Sequence, residues 1–297
     1  MKKILLSAMN GIIGYEILNH LKKKYYVIAI DSEPHGIAKQ IANKFILCPK
    51  GNSKEFIKFI KKISKNVDLM FFYVDEELQN ISRNLKSKHI LKKIIISNSD
   101  VIDLCLNKKK FYSFLSENNV LHPRIKITSP AFVKPIYGRG SKNCSLIKDK
   151  NLLKSYMNNK SFITQEYIQG KEFTVDCYFN KANKLIFSLS RERLVKSNIS
   201  ISNKITKKPE LNKIIKKLSK ICKLYGPINF QFIIDKKTKK PFLIEINPRL
   251  SGGIIFSIYS GFDPISMAIN EYFDNSYQIP SNIKYGLYTR YLISKKI

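Results

Sequence analysis

The sequence predicts an α/β region built on a parallel sheet, followed by an α+β region. Three observations carry this. Residues 1–98 alternate short apolar runs with amphipathic stretches, as right-handed βαβ crossovers require. Residues 99–297 hold paired alternating runs split by polar turns, the pattern of hairpins. Apolar residues make up 44% of the 297, which fits a globular chain with packed cores. Two lobes are therefore expected, residues 1–98 and 99–297, with a small flap at about 131–163 in the second.

In the first region, residues 4–8 read as a buried strand, 12–24 as a helix and 26–30 as a strand ending at Asp31. The first turn resembles a dinucleotide fingerprint, but Met9 stands at the first glycine position, with only Gly11 and Gly14 behind it. Strands at 45–48, 69–74 and 94–96 and helices at 54–65 and 100–105 continue the alternation. Asp75, Glu76 and Glu77 read as the acidic first turn of a helix, where the dipole favours them. That reading is preferred to a substrate contact, although ligand sites of α/β sheets lie at such strand ends.

In the second region a helix is expected at 111–118, after a Lys triplet that begins at Lys108. A strand at 132–135 carries Lys134 into a loop containing Gly138, Arg139, Gly140, Ser141 and Lys142. The loop admits two readings: a plain Gly turn, or a phosphate cradle of backbone N–H groups, a hydroxyl and two cations. A strand at 144–147 and a helix at 152–157 complete the flap. Strands follow at 162–168, 173–179 and 185–189, with Arg191 and Arg193 directly after the last. Residues 197–204 read as a polar loop, and 210–225 as an amphipathic helix with Leu211, Ile214, Ile215, Leu218, Ile221 and Cys222 on its stripe. A helix at 265–273 and a strand at 285–293 end the chain.

The most informative stretch is the hairpin between Asn229 and Asn247. If it is symmetric about Thr238, Phe230, Phe232 and Ile234 face Ile246, Ile244 and Phe242, and Gln231 lies opposite Glu245. Opposed Cβ atoms sit roughly 4.5–5.5 Å apart. Gln231, Glu245 and Asn247 then present oxygens on one face, a donor set that suits Mg²⁺.

Composition narrows the function classes. The net charge of +31 comes from 53 basic residues, of which seven are Arg and 46 Lys. Lys, Ile and Asn are over-used together, which fits A/T-rich codons and a solvated surface rather than a nucleic-acid-binding face. The charge still favours acidic or phosphorylated ligands. Five scattered cysteines with no CxxC pair argue against a zinc site or disulfide framework and for a reducing, cytoplasmic setting. The opening MKKILLSAMNG has too short an apolar core for a signal peptide, and no run approaches the ~20 apolar residues of a membrane span.

Taken in order, LNKKKFYSFLSENNV, AFVKPIYGRGSKN, TQEYIQGKEFTVDCYF, SRERLVKSN, INFQFIID and FLIEINPRLSGG resemble the ATP-grasp superfamily, of the carbamoyl-phosphate-synthase-like carboxylate–amine ligase type. The resemblance spans nearly the whole chain, its first ~95 residues being similar to the α/β domain that precedes the grasp. EINPR, with Gln fourteen residues before its Glu, is the most specific part. The resemblance implies that Lys108 and Lys134 reach the ATP phosphates and that Gly138, Arg139, Gly140, Ser141 and Lys142 cover them. Gln165, Glu166, Tyr167 and Ile168 would form the adenine hinge, with Glu166 accepting from the amino group. Glu172 would hold the ribose, and Gln231, Glu245 and Asn247 the metal. Arg249, Arg191 and Arg193 would surround the transferred phosphoryl group or the substrate carboxylate.

The implied cofactors are ATP and Mg²⁺, with Mn²⁺ able to replace it. The implied substrates are a small-molecule carboxylate and an amine; neither nucleic acid nor membrane is expected as a partner, and a homodimer is compatible with the family. The alternative is a regulatory or degenerate nucleotide-binding relative without ligase activity. The chain departs from the family pattern at Asn107, where an acid is usual, at Gln231, where many relatives have Asp, and at Ser197 and Asn198, where a glycine is common.

Overall fold

A computed structural model describes residues 1–196 and 200–291. Its first sheet has the order β3-β2-β1-β4 and is parallel throughout. It is built from β1 (Lys3–Ser7), α1 (Gly14–Leu21), β2 (Tyr26–Asp31), α2 (Ala38–Ile41), β3 (Lys44–Leu47), α3 (Lys54–Ile63) and β4 (Leu69–Phe71). Helices α4 (Asp75–Asn84), α5 (Lys88–Leu91) and α6 (Ser99–Leu106) follow. The strand expected at 94–96 is reduced to one parallel bridge, Met70 to Ile94. Strand β4 stops at Phe71, and the backbone N–H of Tyr73 donates to Ser7 Oγ instead.

Helix α7 (Lys108–Glu117) starts earlier than expected, because Asn107 caps it: Oδ1 accepts from the N–H groups of Lys109 and Lys110 at 3.1 Å each. Such a cap is worth ~1 kcal/mol. The flap is the antiparallel sheet of β5 (Ala131–Pro135), β6 (Ser145–Ile147) and β7 (Phe162–Gln165), order β6-β5-β7, covered by α8 (Lys150–Asn158). The last sheet is six-stranded. Its strands are β8 (Gly170–Phe179), β9 (Leu185–Lys196), β10 (Ser200–Thr206), β11 (Gly226–Asp235), β12 (Pro241–Asn247) and β13 (Gly286–Thr289), in the order β12-β11-β8-β9-β10-β13. Helices α9 (Pro209–Leu218), α10 (Ile254–Tyr259) and α11 (Pro264–Asp274) complete it.

Four expectations change here. Arg191 and Arg193 lie inside β9 rather than after it. The polar stretch after Lys196 is strand β10 from Ser200, paired with β9 and β13; Ser197, Asn198 and Ile199 lie outside the described residues, as does the expected strand beyond Tyr291. Helix α9 ends at Leu218, and Ile221 is exposed rather than on the buried stripe. The hairpin keeps Phe230 against Ile246 and Gln231 against Glu245, then a β-bulge makes Phe232 face Leu243 and Ile234 face Pro241. The extra residue shifts the pleat, so Leu243 joins Ile246 in the core and Ile244 does not.

One face of the parallel sheet packs on α3, α4 and α6. The other shares a core with α10, α11 and Tyr178 of β8, so Leu6, Phe71, Leu250, Ile254 and Ile265 bury one another. This packing brings the C-terminal edge of the parallel sheet up to the polar face of the six-stranded one.

Candidate functional site

Two cavities meet over the six-stranded sheet. The smaller, about 190 Å³, lies beside the flap, and all twelve residues assigned above to the nucleotide line it. The larger, about 780 Å³, is a cleft toward the parallel sheet. Arg139, Gly140, Ser141, Arg193, Gln231 and Glu245 line both and so mark the junction.

In the smaller cavity Lys108, buried at the start of α7, donates from Nζ to the Gly138 carbonyl at 2.8 Å and lies 3.6 Å from Glu245 Oε1. It thereby ties the flap loop to the metal-face carboxylate. Gly138 and Gly140 have φ of 133° and 66°, which lets the loop curl with its backbone open to the cavity. Lys134 on β5 donates to Tyr112 Oη at 2.5 Å, and Tyr112 donates to the Ile244 carbonyl at 2.9 Å. That carbonyl belongs to the bulged stretch of β12, so the register shift creates the acceptor that seats Tyr112. Burial lowers the Lys134 ammonium to about 8, against the opposing pull of Glu245.

At the hinge, Glu166 is already engaged, since its Oε1 accepts from the Arg124 N–H at 2.9 Å. Gln165 is buried and its Oε1 has no hydrogen-bond partner among the described residues. Tyr167 and Ile168 line the same cavity, and Phe132 packs 6.1 Å from Tyr167 ring to ring. Glu172 accepts from Arg193 Nη1 at 3.1 Å.

Gln231 and Glu245 face each other across β11 and β12 and reach both cavities. Asn247 lines neither: its Nδ2 donates to Asn229 Oδ1 at 3.1 Å and its Oδ1 accepts from Arg249 Nη2 at 3.3 Å. Among the described residues no cluster of three or more His, Cys, Asp or Glu could hold a metal, so a cation here would rely on one carboxylate, amide oxygens and the ligand's own oxygens.

The three arginines differ from one another. Arg191 is 1% exposed, with Nε 2.9 Å from Asp176, Nη1 3.0 Å from Asn203 Oδ1 and Nη2 2.8 Å from Ser251 Oγ. It braces the loop after β12 and also lines the larger cleft; the sequence expectation had it around the phosphoryl group. Arg249 holds Asp75 at 2.5 Å. Burial alone would raise the Asp75 carboxyl, but Arg249, with Arg139 and Lys108 behind it, holds it below the usual range. Arg193 sits at the junction, and burial followed by repulsion from Arg191 lowers its guanidinium despite Glu172.

The cleft also holds residues that sequence reasoning did not assign. Asp31 closes β2, and its carboxylate accepts from the N–H groups of Asn10 and Glu33 at 2.8 and 3.0 Å. Glu77 accepts from Ser7 Oγ. The signal available was their position at strand C-termini.

The fold is shared with known proteins. A family model described as ATP-grasp in the biosynthetic pathway with Ter operon matches residues 158–293. The N5-carboxyaminoimidazole ribonucleotide synthetase of Thermotoga maritima superposes with a TM-score of 0.73 at 15% identity, over 97% of this chain and 80% of that one. The chain has the ATP-grasp fold. The biotin carboxylase domain dimer of the Hydrogenobacter thermophilus 2-oxoglutarate carboxylase, solved with MgADP, ADP and bicarbonate, shares that fold with a TM-score of 0.74 at 16% identity, over 96% of this chain and 73% of that one. In sequence the chain is 25% identical over 268 residues to the carbamoyl phosphate synthase large chain of Pseudothermotoga lettingae, covering 78% of this chain and 23% of that protein. It spans less than a quarter of the length of the curated relatives it matches. Among the described residues no helix is long and apolar enough to cross a membrane.

Proposed function

We propose that this ATP-grasp chain is an ATP- and Mg²⁺-dependent ligase that activates a carboxylate as an acyl phosphate for attack by an amine or a similar nucleophile. The observation that supports it most is the junction: the flap-side cavity meets a separate polar cleft at Arg193, Gln231 and Glu245. ATP would lie along the smaller cavity and run into the junction, its base between Phe132 and the hinge, where the unpartnered Gln165 Oε1, rather than Glu166, would accept from the amino group. Lys108 and Lys134 face the phosphates, and the backbone of residues 138–142 closes over them. Glu245 and Gln231 would hold Mg²⁺, which supplies charge neutralisation between adjacent phosphates. The carboxylate oxygen displaces ADP from the γ-phosphoryl group, and the amine then attacks the carbonyl carbon and expels phosphate. This chain's residues orient the reactants and exclude water; no protein nucleophile is required.

The check is ADP release with mixed carboxylates and amines. Glu245→Ala removes the sole carboxylate of the metal face and is expected to cut turnover by about 10²–10³-fold, the scale of losing one such electrostatic contact. Equal turnover in the two proteins would contradict the proposal. One observation favours a second reading, a nucleotide-binding protein without ligase chemistry: Gln231 is neutral and Asn247 is tied to Asn229 and Arg249. That reading predicts ATP binding with no ADP release under any substrate mixture.

A further inference from the structure

The cleft has a cationic wall and a wall of two carboxyl groups. At the junction stand Arg193 and Arg139, shared with the nucleotide cavity. At the far wall stand Asp31 and Glu77, which line the cleft alone and are 8% and 4% exposed. Among the described residues neither makes an ion pair. In a chain of net charge +31 that is an unusual place for uncompensated acids. Lys50, His35 and Glu33 are at the exposed rim of this wall, and none of them is paired with the two deep carboxyls.

Two further observations mark the wall as unfinished. Tyr73, 5% exposed, lines the same cleft, and its hydroxyl has no hydrogen-bond partner among the described residues. Burial, with Asp31 adding repulsion against the Ser7 hydrogen bond, pushes the Glu77 carboxyl up to about 8. Two carboxyls on one wall, one raising the other and neither ion-paired among the described residues, are a site for a positive group. Gly51 stands against Glu77, where a Cβ would meet Glu77 Cγ at 2.6 Å, so the carboxyl is held in place rather than free to swing out to solvent.

We propose that the substrate activated in this cleft is an amino acid, its ammonium seated on Asp31 and Glu77 and its carboxylate delivered to the Arg193 junction. The assignment rests on the ligase reading only for what happens to the carboxylate. The order of the two poles follows from the lining: cationic residues are shared with the nucleotide cavity and the deep acids are not. An ammonium at the far wall fixes the molecule by the end that does not react, so its carboxylate points toward the γ-phosphate side.

The test is calorimetric titration of the full chain with Mg²⁺ and a non-hydrolysable ATP analogue. The probes are matched pairs: glycine with acetate, β-alanine with propionate, γ-aminobutyrate with butyrate. In at least one pair the amino acid is expected to bind about tenfold or more tightly than its partner, the scale of a hydrogen bond to a charged group. Asp31→Asn should bring that ratio close to one while analogue affinity is unchanged, and Glu77→Gln serves if that variant does not fold. A ratio near one for every pair in the parent protein, or a ratio untouched by both variants, overturns the assignment. So does a preference abolished by K⁺ or excess Mg²⁺ at constant ionic strength, which would make the wall an inorganic-cation site. Failure of the nucleotide analogue to bind would instead count against the ligase reading, and the ratio measured without it still decides this one.

Discussion

The nucleotide cavity and the cleft are built in different ways from the same chain. The cavity takes its residues from a few contiguous motifs: the cap at Asn107 with Lys108, the loop 138–142, the hinge 165–168 and one strand pair. The cleft takes Asp31, Glu77, Arg193 and Arg249 from elements far apart in sequence, and exists only because the face of the parallel sheet packs onto α10 and α11. On the proposed reading, a local motif specifies how a phosphate is held, while the partner substrate is read by the way the parallel sheet packs against the rest of the chain.

The largest effect expected from breaking this contrast is at Arg191. Asp176→Ala leaves the guanidinium buried without its carboxylate, which costs ~3–5 kcal/mol. Urea unfolding should show that loss. Nucleotide affinity measured below the new midpoint should change little, while substrate affinity in the cleft falls because Ser251 and the loop after β12 lose their brace. A loss confined to nucleotide affinity would show that the two cavities are not separable in this way.

A smaller effect separates the cavities by pH. Glu77 is raised from 4.5 to about 8, so the folded state binds a proton the unfolded chain has released, and stability falls as pH rises through that window. Lys134 is lowered from 10.5 to about 8, so the unfolded chain holds the extra proton and stability recovers between about 8 and 10.5. Each slope is at most on the order of 1 kcal/mol per pH unit. Chemical denaturation across the range should show a minimum near pH 8. Glu77→Gln should flatten only the acid side and Lys134→Met only the alkaline side; a single variant that removes both slopes would contradict the assignments.

The same contrast explains what the sequence could and could not disclose. Period-2 alternation placed Gln231 opposite Glu245, but alternation cannot reveal one inserted residue, so the bulge that exposes the Ile244 carbonyl to Tyr112 was not legible. Strand β10 read as a loop because its inward residues include Ser200 and Asn203, whose side-chain oxygens accept from the buried Arg191. Helix α10 is buried nearly all round and so shows no amphipathic stripe. Arg191 was legible only in part for a related reason: its chemistry suits phosphate, and only the packing shows that Asp176 and Asn203 hold it where it lines the cleft.

The central claim is that the two cavities serve one reaction across the junction, and label transfer tests it most directly. The protein is incubated with ATP, Mg²⁺, an amine mixture and amino acids carrying oxygen-18 in their carboxylates, and the phosphate released is analysed by mass spectrometry. An acyl phosphate passes one carboxylate oxygen to phosphate when the amine displaces it, so phosphate bearing a single oxygen-18 is the predicted result. ADP release accompanied only by unlabelled phosphate would mean that water, not the carboxylate, takes the phosphoryl group, and would contradict the account.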